Sequence, residues 1–148
     1  MLEPNQLKEL IKPFEENEVR ISTLACPVTS PEDLFNESEA FVVMDKNKKA
    51  LYFSRSVIPH IRDLHKMHWL EHHIFFKHVG LYAYTFDALQ EFAELPISTL
   101  ERMESLEQNR WIENGNSIHV GITNHDSIPV DTIDDLERVR LLLKEREA

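Results

Sequence analysis

Strand-like and helix-like runs alternate along this chain, and two strand-like runs, AFVVMD (40–45) and ALYFSR (50–55), are joined only by KNKK (46–49). So short a link turns the second run back against the first as a β-hairpin. The remaining strand-like runs, VRISTLAC (19–26), HHIFFKHVGLYAY (72–84) and SIHVGIT (117–123), are interspersed with helical spacing. An α/β fold with a mixed sheet and flanking helices follows.

The helical segments carry their own start and stop signals. Pro4 stands in the first turn of a run in which Leu7, Leu10, Ile11 and Phe14 share one face. Pro13 lacks an N–H donor and should end or kink that helix. PVTSPEDLF (27–35) reads as a turn with one short helical turn. FDALQEFAEL (86–95) is a short helix stopped by Pro96, and STLERMESLEQNRWIENG (98–115) reads as one helical stretch closed by Asn114-Gly115. A last helix is expected from Thr132, with Asp135 completing a capping box and Leu136, Val139 and Leu143 as its buried stripe. The segment 57–73 has the weakest pattern.

The chain has 148 residues, a length that suits one domain over 1–148. Its 26 acidic against 16 basic residues give a net charge of −10, which argues against non-specific binding to nucleic acid or to an anionic membrane. No apolar run approaches the ~18 residues of a membrane span. MLEPNQLKEL (1–10) has neither the basic start nor the apolar stretch of a signal peptide. Cys26 is the only cysteine, so no internal disulfide can form, and a cytoplasmic location fits. Cys26 lies in a strand-like run and reads as a small apolar filler.

Some polar residues are not required by packing. Asp131 precedes the expected last helix, at the end of a strand, where open α/β sheets place ligands. A carboxylate there can hold Mg2+ or simply complement the helix dipole. Arg55 can grip a carboxylate with both arms, while His78 and Tyr82, four apart in a strand, face the same way and offer directional hydrogen bonds. The alternative for that pair is a partly buried polar couple at a sheet edge. Glu107 and Gln108 are helix neighbours, so they can serve one ligand only from a helix end or edge; otherwise they are solvated surface. His60, His65, His68, His72, His73 and His78 crowd one region, and three of them have helical spacing. Without a nearby cysteine or a His-Glu-x-x-His pattern, a polar loop at a subunit contact fits them better than a zinc site.

LYFSRSVIP (51–59), KHVGLYAY (77–84), SLEQNRWIENG (105–115) and VDTIDDLERV (130–139), in that order, resemble the C-terminal half of sugar-activating cytidylyltransferases, specifically the CMP-Kdo synthetases (3-deoxy-D-manno-octulosonate cytidylyltransferases). The resemblance runs from about Leu2 to the last helix. It implies a nucleotide-diphospho-sugar-transferase-like fold and transfer of a cytidylyl group from CTP to Kdo for lipopolysaccharide synthesis. It further implies that Arg55, His78, Tyr82, Glu107 and Gln108 bind the sugar, that Asp131 binds Mg2+, and that the protein is a homodimer. Trp69, Ile74, Phe75 and Phe76 would supply apolar contacts for that dimer. The family's CTP-gripping N-terminal half has no counterpart in the chain, so little or no turnover is expected of the chain alone.

Departures from the family's wording fall at Phe41, where a lysine is usual, with Glu37 and Ser38 nearby replacing a proline and an asparagine. Others fall at Asn109 in an apolar stripe, at Asn116 in place of a tyrosine, and at Pro129 in place of a glycine. They keep open a second reading, a non-catalytic homodimeric assembly module. A third is a cytidylyltransferase fragment for another acidic sugar.

Overall fold

A computed structural model describes residues 2–16, 18–125, 133, 136–137 and 139–141. Asp131, Pro129 and the start of the expected last helix lie outside the described residues.

The N-terminal amphipathic pattern becomes helix α1, Pro4–Glu16. Its Leu10 packs against Leu24, Cys26 and Val79, so Cys26 sits among apolar side chains. The buried Gln6 accepts from Glu3 N at 3.0 Å and donates to His125 O at 3.0 Å. Pro13 neither ends nor visibly shortens the helix, contrary to expectation, and the helix runs on to Glu16. A helical proline deprives the carbonyl four residues earlier of its donor. That carbonyl, on Glu9, faces Gly121, where an added Cβ would lie 3.2 Å away. Tertiary packing of the buried Pro13 thus offsets the local cost.

A five-stranded sheet in the order β3-β2-β4-β1-β5 forms the centre. Strand β1, Ile21–Pro27, is buried over six consecutive residues, as expected of a strand covered on both faces. It pairs antiparallel with β4, Phe76–Tyr84, and parallel with β5, His119–Ile122, so the sheet is mixed. The expected hairpin is present as β2, Phe41–Met44, and β3, Ala50–Ser54. Asp45 Oδ1 organises its turn by accepting from Asn47 N and Lys49 N, both at 2.8 Å. The turn then clips onto the start of β5 through Val120 N to Lys48 O (2.8 Å) and Ala50 N to Ile118 O (2.9 Å).

The main core lies beneath this hairpin and contains Ile21, Val42, Phe53, Trp111, Ile118 and Val120. A second cluster contains Val28, Leu34, Phe41, Trp69 and Phe75. Two expected partner contacts are therefore corrected: Trp69 is 3% exposed and Phe75 fully buried, and the two rings stack at 5.6 Å inside that cluster. Ile74, by contrast, is 61% exposed. Segment 57–73 contains a 3-10 turn, Lys66–Glu71. Phe41 fits this second cluster because an apolar ring is what its neighbours accommodate.

Helix α2, Phe86–Glu94, is capped by the Thr85 hydroxyl. The single helical stretch expected over 98–115 is instead two helices, α3, Thr99–Glu104, and α4, Gln108–Glu113. Ser105 separates them in the left-handed region at φ 52°. Tertiary bonds explain the break. Glu101 holds Arg110 with both carboxylate oxygens, and Glu104 reaches across to β3. Gly115, at φ 82°, closes α4 as the Asn-Gly pair predicts.

Candidate functional site

The site grows from a defect in β4. Opposite Thr23 and Leu24 the register jumps from Tyr82 to Val79, a bulge that leaves Gly80 and Leu81 without ladder partners. The Thr23 side chain fills the gap, with Oγ1 2.8 Å from Leu81 O, 3.3 Å from Val79 O and 2.9 Å from His78 Nε2. His78 lies edge-on to Phe53 with ring centroids 5.1 Å apart. Its ring is 5.4 Å from that of Tyr82, which stacks at 5.8 Å on Tyr84. The strand spacing of His78 and Tyr82 therefore does bring them to one place.

Arg55 stands at the end of β3, exposed, and is held from two sides. Its backbone N donates to Glu104 Oε2 at 2.8 Å, and Nη1 donates to Ser38 O at 2.7 Å. Glu104 also accepts from Tyr52 Oη at 2.9 Å and Ser54 Oγ at 2.8 Å. Burial works against its charge, yet these donors hold its carboxyl below the usual range. Burial pushes the His78 imidazole down to about 4, and the positive Arg55 nearby adds to the effect.

Glu107 and Gln108 occupy the start of α4, so the pair does present a helix end. Burial raises the Tyr82 and Tyr84 phenols, and the negative charge of Glu107 raises both further. The Thr23 hydroxyl near Tyr82 acts weakly the other way, without making a hydrogen bond to Tyr82 Oη. Glu107 thus lies within electrostatic reach of the tyrosines on β4, as Arg55 does of His78. Gln108 is 6% exposed. Its Nε2 and the Tyr82 Oη are buried without a hydrogen-bond partner.

Four of the expected site residues are therefore linked: His78 and Tyr82 are ring neighbours within β4, with Arg55 from the end of β3 in electrostatic reach of the first and Glu107 from the start of α4 in reach of the second, while Gln108 follows Glu107 on α4. Asp131 lies outside the described residues. Among those described, no group of three or more His, Cys, Asp or Glu side chains is placed to hold a metal ion. The crowded histidines have separate tasks: His65 caps the 3-10 turn, His68 contacts Glu71 at 2.8 Å, and His60 and His73 pack edge-on against Trp69 and Phe75. Thr23 and Glu104 were not evident from the sequence. A threonine inside a buried strand was the only available signal for Thr23, and Glu104 resembled any acidic residue near a helix end.

Comparison with known proteins places these residues in context. A protein-family model described as Cytidylyltransferase matches residues 1–118. The 3-deoxy-manno-octulosonate cytidylyltransferase of Parabacteroides distasonis is 44% identical over 98% of this chain and 59% of its own length. That of Bacteroides thetaiotaomicron is 45% identical, again over 98% of this chain and 59% of the relative. A solved CMP:2-keto-3-deoxy-manno-octonic acid synthetase complexed with CTP superposes with a TM-score of 0.87 at 34% identity, covering 99% of this chain and 58% of that one. The chain thus spans well under two thirds of the relatives that it matches, with the α/β fold of nucleotide-sugar transferases. No helix among the described residues is long and apolar enough to cross a membrane. From the family match and the shared fold together, the chain belongs to the cytidylyltransferase family, and corresponds to the C-terminal half of the CMP-Kdo synthetases.

Proposed function

We propose that this chain binds Kdo where β3, β4 and α4 meet, as the sugar-binding part of a cytidylyl transfer. The observation that carries this reading is the buried Tyr82 Oη without a partner; among the described residues Gln108 Nε2 on α4 and Glu9 Oε2 on α1 are in the same condition. An unpaired buried polar group costs about 1–3 kcal/mol. Retaining the Tyr82 hydroxyl unpaired beside His78 and within reach of Glu107 makes sense if a polyhydroxylated ligand pairs it.

In this reading Arg55 takes the carboxylate of Kdo and the other four residues take its hydroxyls. The full reaction joins the anomeric hydroxyl of Kdo to the α-phosphate of CTP and releases pyrophosphate. Bound Mg2+ would neutralise phosphate charge, and Asp131 is the residue assigned to hold it. The contribution of the described residues is orientation: a fixed sugar presents one hydroxyl for attack. CTP binding and turnover belong to this proposal for the length of the relatives, of which the chain spans 59%.

A titration of isotope-labelled protein with Kdo, followed by NMR, tests the reading. Saturable shifts at His78, Tyr82 and the Gln108 side-chain amide are expected, with weaker or no response to N-acetylneuraminate. A well-dispersed spectrum that ignores Kdo would overturn it. The assembly-module reading draws support from the exposed Phe86 (72%), Ile97 (62%) and Met103 (71%). It requires a stable homodimer in sedimentation without sugar affinity.

A further inference from the structure

We propose that Thr23 is a positioning residue that fixes His78 as its Nε2–H tautomer, so that Nδ1 is left to accept a hydrogen bond from a ligand hydroxyl. The proposal rests on the sugar-binding reading for the identity of the ligand, but not for the state of the ring.

The argument begins with one proton. A threonine hydroxyl has one hydrogen to donate and lone pairs to accept with. Thr23 is fully buried, so no water competes for it. Its Oγ1 lies 2.8 Å from Leu81 O and 3.3 Å from Val79 O. Both are carbonyls and can only accept. They come to the Thr23 hydroxyl at the bulge, where Leu81 has no ladder partner and Val79 resumes the pairing opposite Leu24. If the hydroxyl donated to His78 instead, two carbonyl oxygens would face its lone pairs with no proton between them. The proton therefore goes to a backbone carbonyl, and His78 Nε2, 2.9 Å from Oγ1, must be the donor.

The ring state completes the argument. Burial and the adjacent Arg55 keep the imidazole uncharged near neutral pH, so only one nitrogen is protonated. With Nε2–H committed to Thr23, Nδ1 carries a lone pair. It makes no hydrogen bond to the described residues. A lone pair selects a donor: a sugar hydroxyl satisfies it, whereas a carboxylate, which has no proton near neutral pH, is repelled. Thr23 thereby divides the labour of the site. Ligand hydroxyls go to His78, and the ligand carboxylate is left to Arg55. The arrangement is built from the backbone of β4 itself, since the carbonyls that compete for the Thr23 proton belong to the strand.

The test uses the full chain with 15N-labelled histidine and long-range 1H–15N correlation at pH 7, without ligand. One protonated Nε2 and one unprotonated Nδ1 are expected for His78. A protonated Nδ1, or two protonated nitrogens, would overturn the proposal. Thr23→Val keeps the shape and removes the hydroxyl, and should shift the His78 nitrogens toward a mixture of tautomers. Thr23→Ser should preserve the original pattern. Nitrogens unchanged in the valine variant would also count against it. Should that variant not fold, the pattern of the unaltered chain decides. Kdo affinity is then expected to fall about tenfold in Thr23→Val and recover in Thr23→Ser, in line with the loss of one hydrogen bond. If the unaltered chain does not bind Kdo at all, the sugar reading fails, and the nitrogen pattern still answers the question about Thr23.

Discussion

The side chain of Asn109 on α4 bonds both polar groups of the Phe53 backbone on β3: Oδ1 accepts from Phe53 N at 3.3 Å and Nδ2 donates to Phe53 O at 2.9 Å. Strand β3 is at one edge of the sheet, so Phe53 has a free side toward α4. Asn109 completes it as a neighbouring strand would, with no exposed surface of its own. A polar residue in an apolar stripe, a liability on sequence grounds, is therefore fully used.

Asn109→Ala should strip Phe53 of both partners in a buried setting and lower stability by about 2–6 kcal/mol, two unpaired groups at the usual cost. Asn109→Leu should lose less, since its added apolar burial offsets part of the penalty. Urea unfolding of the three proteins measures the difference. Equal stability of all three would show that water reaches Phe53.

Tyr82→Phe should separate stability from binding. The hydroxyl it removes is buried without a partner. The free protein should become more stable by about 1 kcal/mol, while Kdo affinity falls about tenfold. Thermal melts with and without Kdo check both arms, and a destabilised variant would mean that the hydroxyl is already satisfied.

His78 should make stability fall as the pH is lowered from 6.5 toward 4. Its folded value sits at about 4 against an ordinary 6.5, because burial, then Arg55, disfavours the charged ring. The folded protein thus refuses a proton that the unfolded chain takes up. The stabilisation is complete above 6.5, declines through this window and is lost below about 4, by up to roughly 3 kcal/mol. Glu101 and Glu104, whose values are lowered, contribute on the acid side of the carboxylate range and so act below it. Unfolding free energies across pH 4–7 for the natural chain and for His78→Gln should differ in slope. Parallel curves would contradict the buried neutral ring.

Gly121→Ala should destabilise by about 1–3 kcal/mol through overpacking. An added Cβ would lie 2.8 Å from Leu24 Cδ2 and 3.2 Å from Glu9 O. Leu24 is fully buried and has little room to yield. Adding Leu24→Val should recover part of the loss, and a double-mutant cycle reads the coupling.

What the sequence determined by itself was whatever depends on neighbours in the chain. The hairpin at KNKK, the strands β1, β4 and β5 and the stop at Asn114-Gly115 all follow from spacing and turn chemistry within a few residues. The grouping of His78 with Tyr82 followed from strand period, whereas Glu107 and Gln108 came to a helix end only because the stretch breaks at Ser105. Only tertiary structure decided the rest. Pro13 stays inside a helix, with its ring buried against the rest of the fold. The stretch around Ser105 breaks because Glu101 and Glu104 have better partners on α4 and β3 than a continuous helix would allow. Trp69 and Phe75 turn inward because Phe41 and Leu34 meet them there. Thr23 meets His78 because a bulge in β4 brings the Leu81 and Val79 carbonyls and the His78 ring to its one hydroxyl. Each of these outcomes is a competition between a local preference of about 1–3 kcal/mol and contacts made by residues distant in the chain, and spacing along one sequence carries no record of those distant contacts.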